Sequence, residues 1–256
     1  MTFGVQTFTI RKTQKKDMEK SYAQLAKMGV SELEIARIDF TRENAEKVKA
    51  IDEKYGIHPV SIQVKPKYVF CQSDKVIEFC RITGCKNVVI SMLPFRCILG
   101  GEDEFYDFIH KLDDAFDLYE KEGITLAYHH HNWEYVRLSN GKTRMEELLS
   151  LTKKIKFVND TYWTARSGVD PACQIRRFGD RLLGIHLRDL TFGKKFLDVV
   201  PRDTFIGDGV IDFHSVLEAT QEAGCEYFVI EQNTEAPYED IQKSLESLKK
   251  IRSVSV

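Results

Sequence analysis

Three consecutive histidines, His129, His130 and His131, interrupt the apolar run ITLAY and are followed by Asn132, Trp133 and Glu134. Later apolar runs break in the same way at their C-terminal ends, KFVN at Asp160, LLGI at His186 and YFVI at Glu231. Taken singly, such a residue is more often a helix cap, a loop charge or a hydrogen-bonded structural histidine than a ligand. Recurrence at successive run ends points instead to one shared site, because independent structural roles have no reason to repeat in this way. Deprotonated oxygen and imidazole donors converging on one point suit a hard or borderline divalent cation, so Mn, Mg, Zn and Co are the candidate ions. Cysteine is absent from the set, which argues against a structural zinc site.

Side chains alternate along a strand, so His129 and His131 share one face and His130 points to the other. Arg188 shares the face of His186 by the same rule. Glu134 lies beyond the strand, where it could curl back to the cation or contact a substrate, and spacing leaves both open.

These residues need elements that hold them. Short β-branched or aromatic runs alternate along the chain with longer amphipathic segments, the pattern of parallel strands joined by helical crossovers. Strands are predicted at Phe3 to Phe8, Glu32 to Ile35, Pro59 to Val64, Asn87 to Ser91, Thr125 to His129, Lys156 to Asn159, Leu183 to Leu187 and Tyr227 to Glu231. Helices are predicted at Lys15 to Met28, Arg42 to Tyr55, Ser73 to Thr83, Glu102 to Glu122, Thr143 to Thr152, Pro171 to Phe178, Phe213 to Ala223 and Tyr238 to Ile251. Gly29, Gly56, Gly84, Gly123 and Gly224 close five of these helices, where a left-handed cap is sterically easiest.

Eight strand-helix units in about 250 residues fit one (β/α)8 TIM barrel, an α/β fold occupying the 256 residues as a single domain. No GxGxxG or Walker sequence supports an open doubly wound sheet. Reacting groups of such barrels sit at the C-terminal ends of the strands, where the polar residues above fall. The long segment from Thr191 to Ile211, after the seventh strand, belongs to that face.

The net charge of -2, with Lys and Arg scattered among Asp and Glu, offers no phosphate-tracking surface and makes nucleic acid a poor partner. Six dispersed cysteines without a CxxC pair read as reduced thiols. No run approaches the roughly 18 apolar residues of a membrane span, and no signal segment opens the chain. A cytoplasmic location is the expectation.

With these residues in place, the chain resembles the sugar phosphate isomerase/epimerase family, xylose-isomerase-like barrels related to the endonuclease IV type of nuclease. The likeness rests on GVQTFTIR at Gly4 to Arg11, YHHHNWEY at Tyr128 to Tyr135, NDTYW at Asn159 to Trp163, HLRD at His186 to Asp189, FIGDG at Phe205 to Gly209 and VIEQ at Val229 to Gln232. It implies a divalent metal held by Asp160, His186 and Glu231. The family has a glutamate after its fifth strand, where this chain has His129; Glu134 is favoured as that ligand for its charge, with His129 as competitor or general base.

The resemblance implies isomerisation or epimerisation of a sugar or sugar phosphate, by removal of a proton beside a metal-polarised carbonyl. Glu231 fills one base role, and His129, His131 or Glu134 the other. Gln6, Glu34, Trp163 and Arg188 are candidate substrate contacts, with Arg37, Gln63 and Lys65 as further ones, and Trp133 and Trp163 could wall a sugar face. The main rival is a lyase or dehydratase on the same site, expelling a β-substituent from a keto-sugar or inosose. A DNA-repair endonuclease would need several zinc ions and a basic surface, and a non-catalytic barrel subunit would need no metal. A homodimer is expected from the resemblance alone.

Overall fold

Barrel strands after the first begin where a helix has been stopped. Thr41 caps the helix Arg42–Tyr55 by accepting from the Asn44 N–H, and Gly56 ends it at φ 63, a left-handed conformation that frees the chain to turn into the next strand. The other predicted cap glycines, Gly29, Gly84, Gly123 and Gly224, also have positive φ. Residues 1–193 and 199–254 are described in the computed structural model.

The strands are β1 (Phe3–Gln6), β2 (Glu32–Ile35), β3 (His58–Val64), β4 (Asn87–Ile90), β5 (Thr125–His129), β6 (Lys156–Asp160), β7 (Leu182–Leu187), β8 (Asp189–Thr191), β9 (Arg202–Thr204) and β10 (Tyr227–Ile230). All but β8 and β9 close into a parallel barrel in the order β1-β10-β7-β6-β5-β4-β3-β2. The predicted eightfold barrel is therefore present, with β10 as its last strand.

Two predicted helices are each divided. Lys15 to Met28 resolves into Arg11–Lys16 and Met18–Lys27, separated by Asp17, whose extended backbone and side chain cap the second helix. Glu102 to Glu122 resolves into Glu102–Ile109 and Leu112–Glu120. The long segment expected from Thr191 to Ile211 begins at the last residue of β8 and contains β9, which pairs with β8 antiparallel; its residues 194–198 lie outside those described.

Most apolar burial lies between the strands and the helical ring. A second cluster includes Val89, Ala127, Val158, Tyr227 and Val229. Ala127, Val158 and Val229 stand two residues before His129, Asp160 and Glu231, so they share those strand faces. They form a packed floor below the polar strand ends, each of the two fully buried valines contributing about 1.5–3 kcal/mol. No helix among the described residues is long and apolar enough to cross a membrane.

Candidate active site

Parallel register brings the strand ends level. Asp160 and His186 are direct partners across β6 and β7, and His129 at the end of β5 is paired with Val158 of β6. Glu231, the residue after β10, donates its N–H to Leu187 O at 3.2 Å, which holds it beside the end of β7. The result is a buried group of His129, Asp160, His186 and Glu231 whose donor atoms all lie within 4.8 Å of one another.

Whether this group suits a divalent ion can be judged from its nitrogens. His129 Nε2 and His186 Nδ1 are buried without hydrogen-bond partners. They lie 3.5 and 3.9 Å from Asp160 Oδ2, and His186 Nδ1 lies 2.8 Å from Glu231 Oε2 without the alignment of a hydrogen bond. The opposite ring nitrogens are engaged, His129 Nδ1 with Ser91 O at 3.1 Å and His186 Nε2 with Glu34 Oε1 at 2.7 Å. One nitrogen free toward a common point and the other tied to oxygen is how metal-binding imidazoles are oriented. With two carboxylates completing the set, the residues fit a borderline divalent cation.

The charges are arranged to the same end. Burial opposes ionisation of His186, but Glu34 and Glu231 outweigh it and push its pKa up to about 10. Burial likewise opposes the Asp160 anion, yet the Arg188 guanidinium, with His129 and His186, holds that carboxyl well below its usual range. Glu231 is held at about 2 against its own burial by Arg188 and His186. Arg188 Nη1 reaches Asp160 Oδ2 at 3.1 Å and Glu231 Oε1 at 3.3 Å, while Nε and Nη2 bond Asp203 at 3.2 and 2.7 Å.

Above the group opens a cavity of about 800 Å³, lined among others by Phe8, Arg37, Lys65, His131, Trp163 and Arg188. His131 packs against Trp133 and Trp163 with ring centroids 4.9 and 5.1 Å away, and its buried Nδ1 has no partner. Burial and the neighbouring His129 hold its pKa well below the usual imidazole range, which keeps the ring neutral. His130 faces the helical layer as alternation requires, packed near Tyr135 and Phe178, and burial lowers it to about 4.

Three predicted site residues lie outside both the group and the cavity lining. Glu134 does not join the group: its oxygens accept from Tyr128 Oη and, at 2.8 Å, from the His131 N–H. The short helical turn Trp133–Tyr135 carries it back under the chain, and burial raises its pKa against those two donors. Glu34, expected to touch substrate, is fully buried. One of its oxygens meets His186 and the other accepts from Ser61 Oγ at 2.6 Å and Tyr227 Oη at 2.9 Å. Gln6, also expected at the substrate, is buried and spans Gln63 at 3.1 Å and Glu231 at 3.2 Å, behind the cavity wall.

Sequence reasoning passed over Asp203, because β9 is short and carries no readable period; the only signal was that a buried Arg188 needs an anion. It also missed Tyr227, whose ring passes over Gly184, where an added Cβ would lie 2.2 Å from the ring.

A family model described as xylose isomerase-like TIM barrel matches residues 22–251. The chain belongs to the xylose isomerase-like TIM barrel family. It is 31% identical over 142 residues to an inosose dehydratase from Geobacillus thermodenitrificans, in an alignment covering 51% of the chain and 47% of that relative. The chain thus spans about half the length of the curated relatives it matches. Among solved xylose isomerase-like barrels, a sugar phosphate isomerase/epimerase from Parabacteroides distasonis superposes with TM-score 0.79 at 21% identity, covering 97% of this chain and 93% of that one. The IolI protein with a bound zinc atom superposes with TM-score 0.73 at 16% identity, covering 100% and 99%. At these identities the structural likeness shows a shared fold.

Proposed function

We propose that the protein is a divalent-metal-dependent enzyme that removes a proton from the carbon beside the carbonyl of a sugar-like or inositol-like polyhydroxyketone. The observation that carries this reading is the unpartnered, buried imidazole of His131 facing the same cavity as the group His129, Asp160, His186 and Glu231. Those four residues would hold a divalent ion, which would supply a Lewis acid for polarising the carbonyl. His131, neutral and fixed between Trp133 and Trp163, accepts the carbon-bound proton at Nδ1. Glu231, held at about 2 beside Arg188, is a weak base and serves as a ligand.

A single imidazole can return the proton to the neighbouring carbon while the hydroxyl proton passes between the two adjacent oxygens, giving isomerisation, or deliver it to a departing β-hydroxyl, giving dehydration. The second outcome is favoured by the relatives named inosose dehydratase, of which one is 31% identical. The two are separated by incubating the metal-loaded protein with ketoses and inososes in heavy water and weighing the products. Isomerisation keeps the skeleton and gains deuterium; dehydration loses one water. Neither solvent exchange nor loss of water with any substrate would remove the reading.

Ion uptake must displace the proton that Glu34 and Glu231 hold on His186, whose ion-free pKa is about 10. Apparent affinity is therefore expected to climb with pH, by about tenfold per unit while one proton is released. Chelator-competition titrations between about pH 6 and about pH 8 check this; a flat response would contradict it.

Glu34→Ala is expected to weaken ion binding by about 10–100-fold, since it frees the ring of His186 to turn. It should also destabilise the ion-free protein by about 3–5 kcal/mol, because it breaks a buried pair and strands the charge on His186. Chelator competition and denaturant unfolding measure the two effects separately.

A further inference from the structure

Arg37 is the one non-glycine residue with positive φ among the described residues, at φ 60. A side chain in the left-handed region costs about 1–3 kcal/mol and persists only where its surroundings enforce it. Here the preceding residue is clamped. Ala36 N–H donates to Thr7 Oγ1 at 2.8 Å, while Ala36 O accepts from Thr7 Oγ1 at 3.0 Å and from Gln14 Nε2 at 2.9 Å. Gln14 is itself held by Tyr22 Oη at 2.8 Å. The clamp sets Arg37 in the cavity wall, with its guanidinium 5.1 Å from the centroid of the Phe8 ring, which lines the same wall.

Lys65 lines the cavity beside it. It follows the last residue of β3 and precedes Pro66, which confines it to extended backbone, observed at φ -68 and ψ 150. Strands β2 and β3 are neighbours, with Ile35 opposite Ile62. Neither Arg37 nor Lys65 forms an ion pair among the described residues. Lys15 and Arg166 are the other cations of the lining outside the Arg188 cluster, against one acid there, Asp39. Asp203 and Glu231, the other acids of the lining, are both bound to Arg188.

The barrel order puts β2 directly across from β6, and β3 directly across from β7. The unpaired cations thus face Asp160 and His186 from the opposite rim, separated by the width of the cavity. We infer that Arg37 and Lys65 form an anion subsite that takes up a phosphate or carboxylate at the far end of the substrate while its carbonyl lies over the group His129, Asp160, His186 and Glu231. This assignment rests on the proposed reading of the cavity as a substrate site, and it narrows the substrate to an anionic polyhydroxyketone.

Calorimetric binding to the metal-loaded protein tests the subsite without needing turnover. The probes are fructose, fructose 6-phosphate and a keto-uronate, and the variants are Arg37→Gly, Lys65→Gln and, as control, Lys12→Gln in the exposed pair with Glu235. Arg37→Gly relieves the left-handed strain, so a loss of binding in that variant is not a loss of fold. One anionic probe is expected to bind at least about tenfold tighter than fructose, the gain from charge-assisted bonds. Whether phosphate or keto-uronate shows the advantage identifies the anion. Arg37→Gly and Lys65→Gln should each remove most of it, and Lys12→Gln should leave it intact. Equal binding of all three probes, or an advantage that survives in both cavity variants, would overturn the subsite. Anion-selective binding with neither solvent exchange nor loss of water would instead leave the subsite standing and remove the proposed reaction.

Discussion

Replacing His129 by Ala is expected to abolish divalent-ion binding at the group His129, Asp160, His186 and Glu231, whereas Glu134→Gln leaves it unchanged. His129 Nε2 is one of two buried imidazole nitrogens left without a partner in the group, so its removal takes away a donor that no nearby side chain replaces. Loss of a residue that merely orients a ligand already costs about 10–100-fold in affinity, and loss of the ligand itself should exceed that. Glu134→Gln acts elsewhere. Both Glu134 oxygens accept hydrogen bonds, from Tyr128 Oη and the His131 N–H, and an amide would set an N–H against one of those donors. The expected cost is about 1–3 kcal/mol of stability, from one buried donor left unpaired. Elemental analysis of the purified variants, with denaturant unfolding alongside, gives both answers. An ion-free Glu134→Gln beside a fully loaded His129→Ala would reverse the assignment.

That contrast marks where sequence reading reached its limit. The barrel was legible because eight β-rich runs alternate with amphipathic segments, and helix ends such as Gly56 carry their own backbone chemistry. Asp160, His186 and Glu231 were legible as a set because each breaks an apolar run at its C-terminal end, and parallel register makes those ends meet. Alternation also separated His130 from its two neighbours correctly in direction. What it could not supply was the path of the chain after the strand. One turn of helix at Trp133–Tyr135 decides that Glu134 folds back under the backbone to Tyr128, and no period encodes that turn.

Partnership across the barrel was equally hidden. Glu34 read as a candidate substrate contact by the second strand, yet three side chains from β3, β7 and β10 consume its oxygens. The arrangement depends on Gly184, whose missing side chain lets the Tyr227 ring cross to Glu34. A carboxylate that orients a histidine and one that touches substrate have the same sequence signature. Only the three-dimensional list of partners separates them, and the partners lie up to 193 residues away in the chain.

His131→Phe is expected to lower the rate of solvent exchange at the substrate carbon by about 10²–10⁴-fold, the range for losing a positioned base. Phenylalanine keeps a flat ring between Trp133 and Trp163, whose centroids lie 4.9 and 5.1 Å away, so the cavity wall should survive. It removes only the unpartnered Nδ1. The ion should remain, since His131 is outside the group whose donors converge within 4.8 Å. Mass-spectrometric deuterium uptake, measured on protein of verified ion content, separates this outcome from trivial loss of the cofactor. The same variant also bears on the fate of the proton. If His131 serves both to remove it and to deliver it, exchange and product formation must fall together. Product formation that persists while exchange collapses would mean a second group completes the reaction, with Glu231 and Asp203 as the carboxylates lining the cavity near enough to Arg188 to be bound by it. Retention of both rates would show that the proton leaves by another route, and the imidazole would then be a wall of the cavity and not its base.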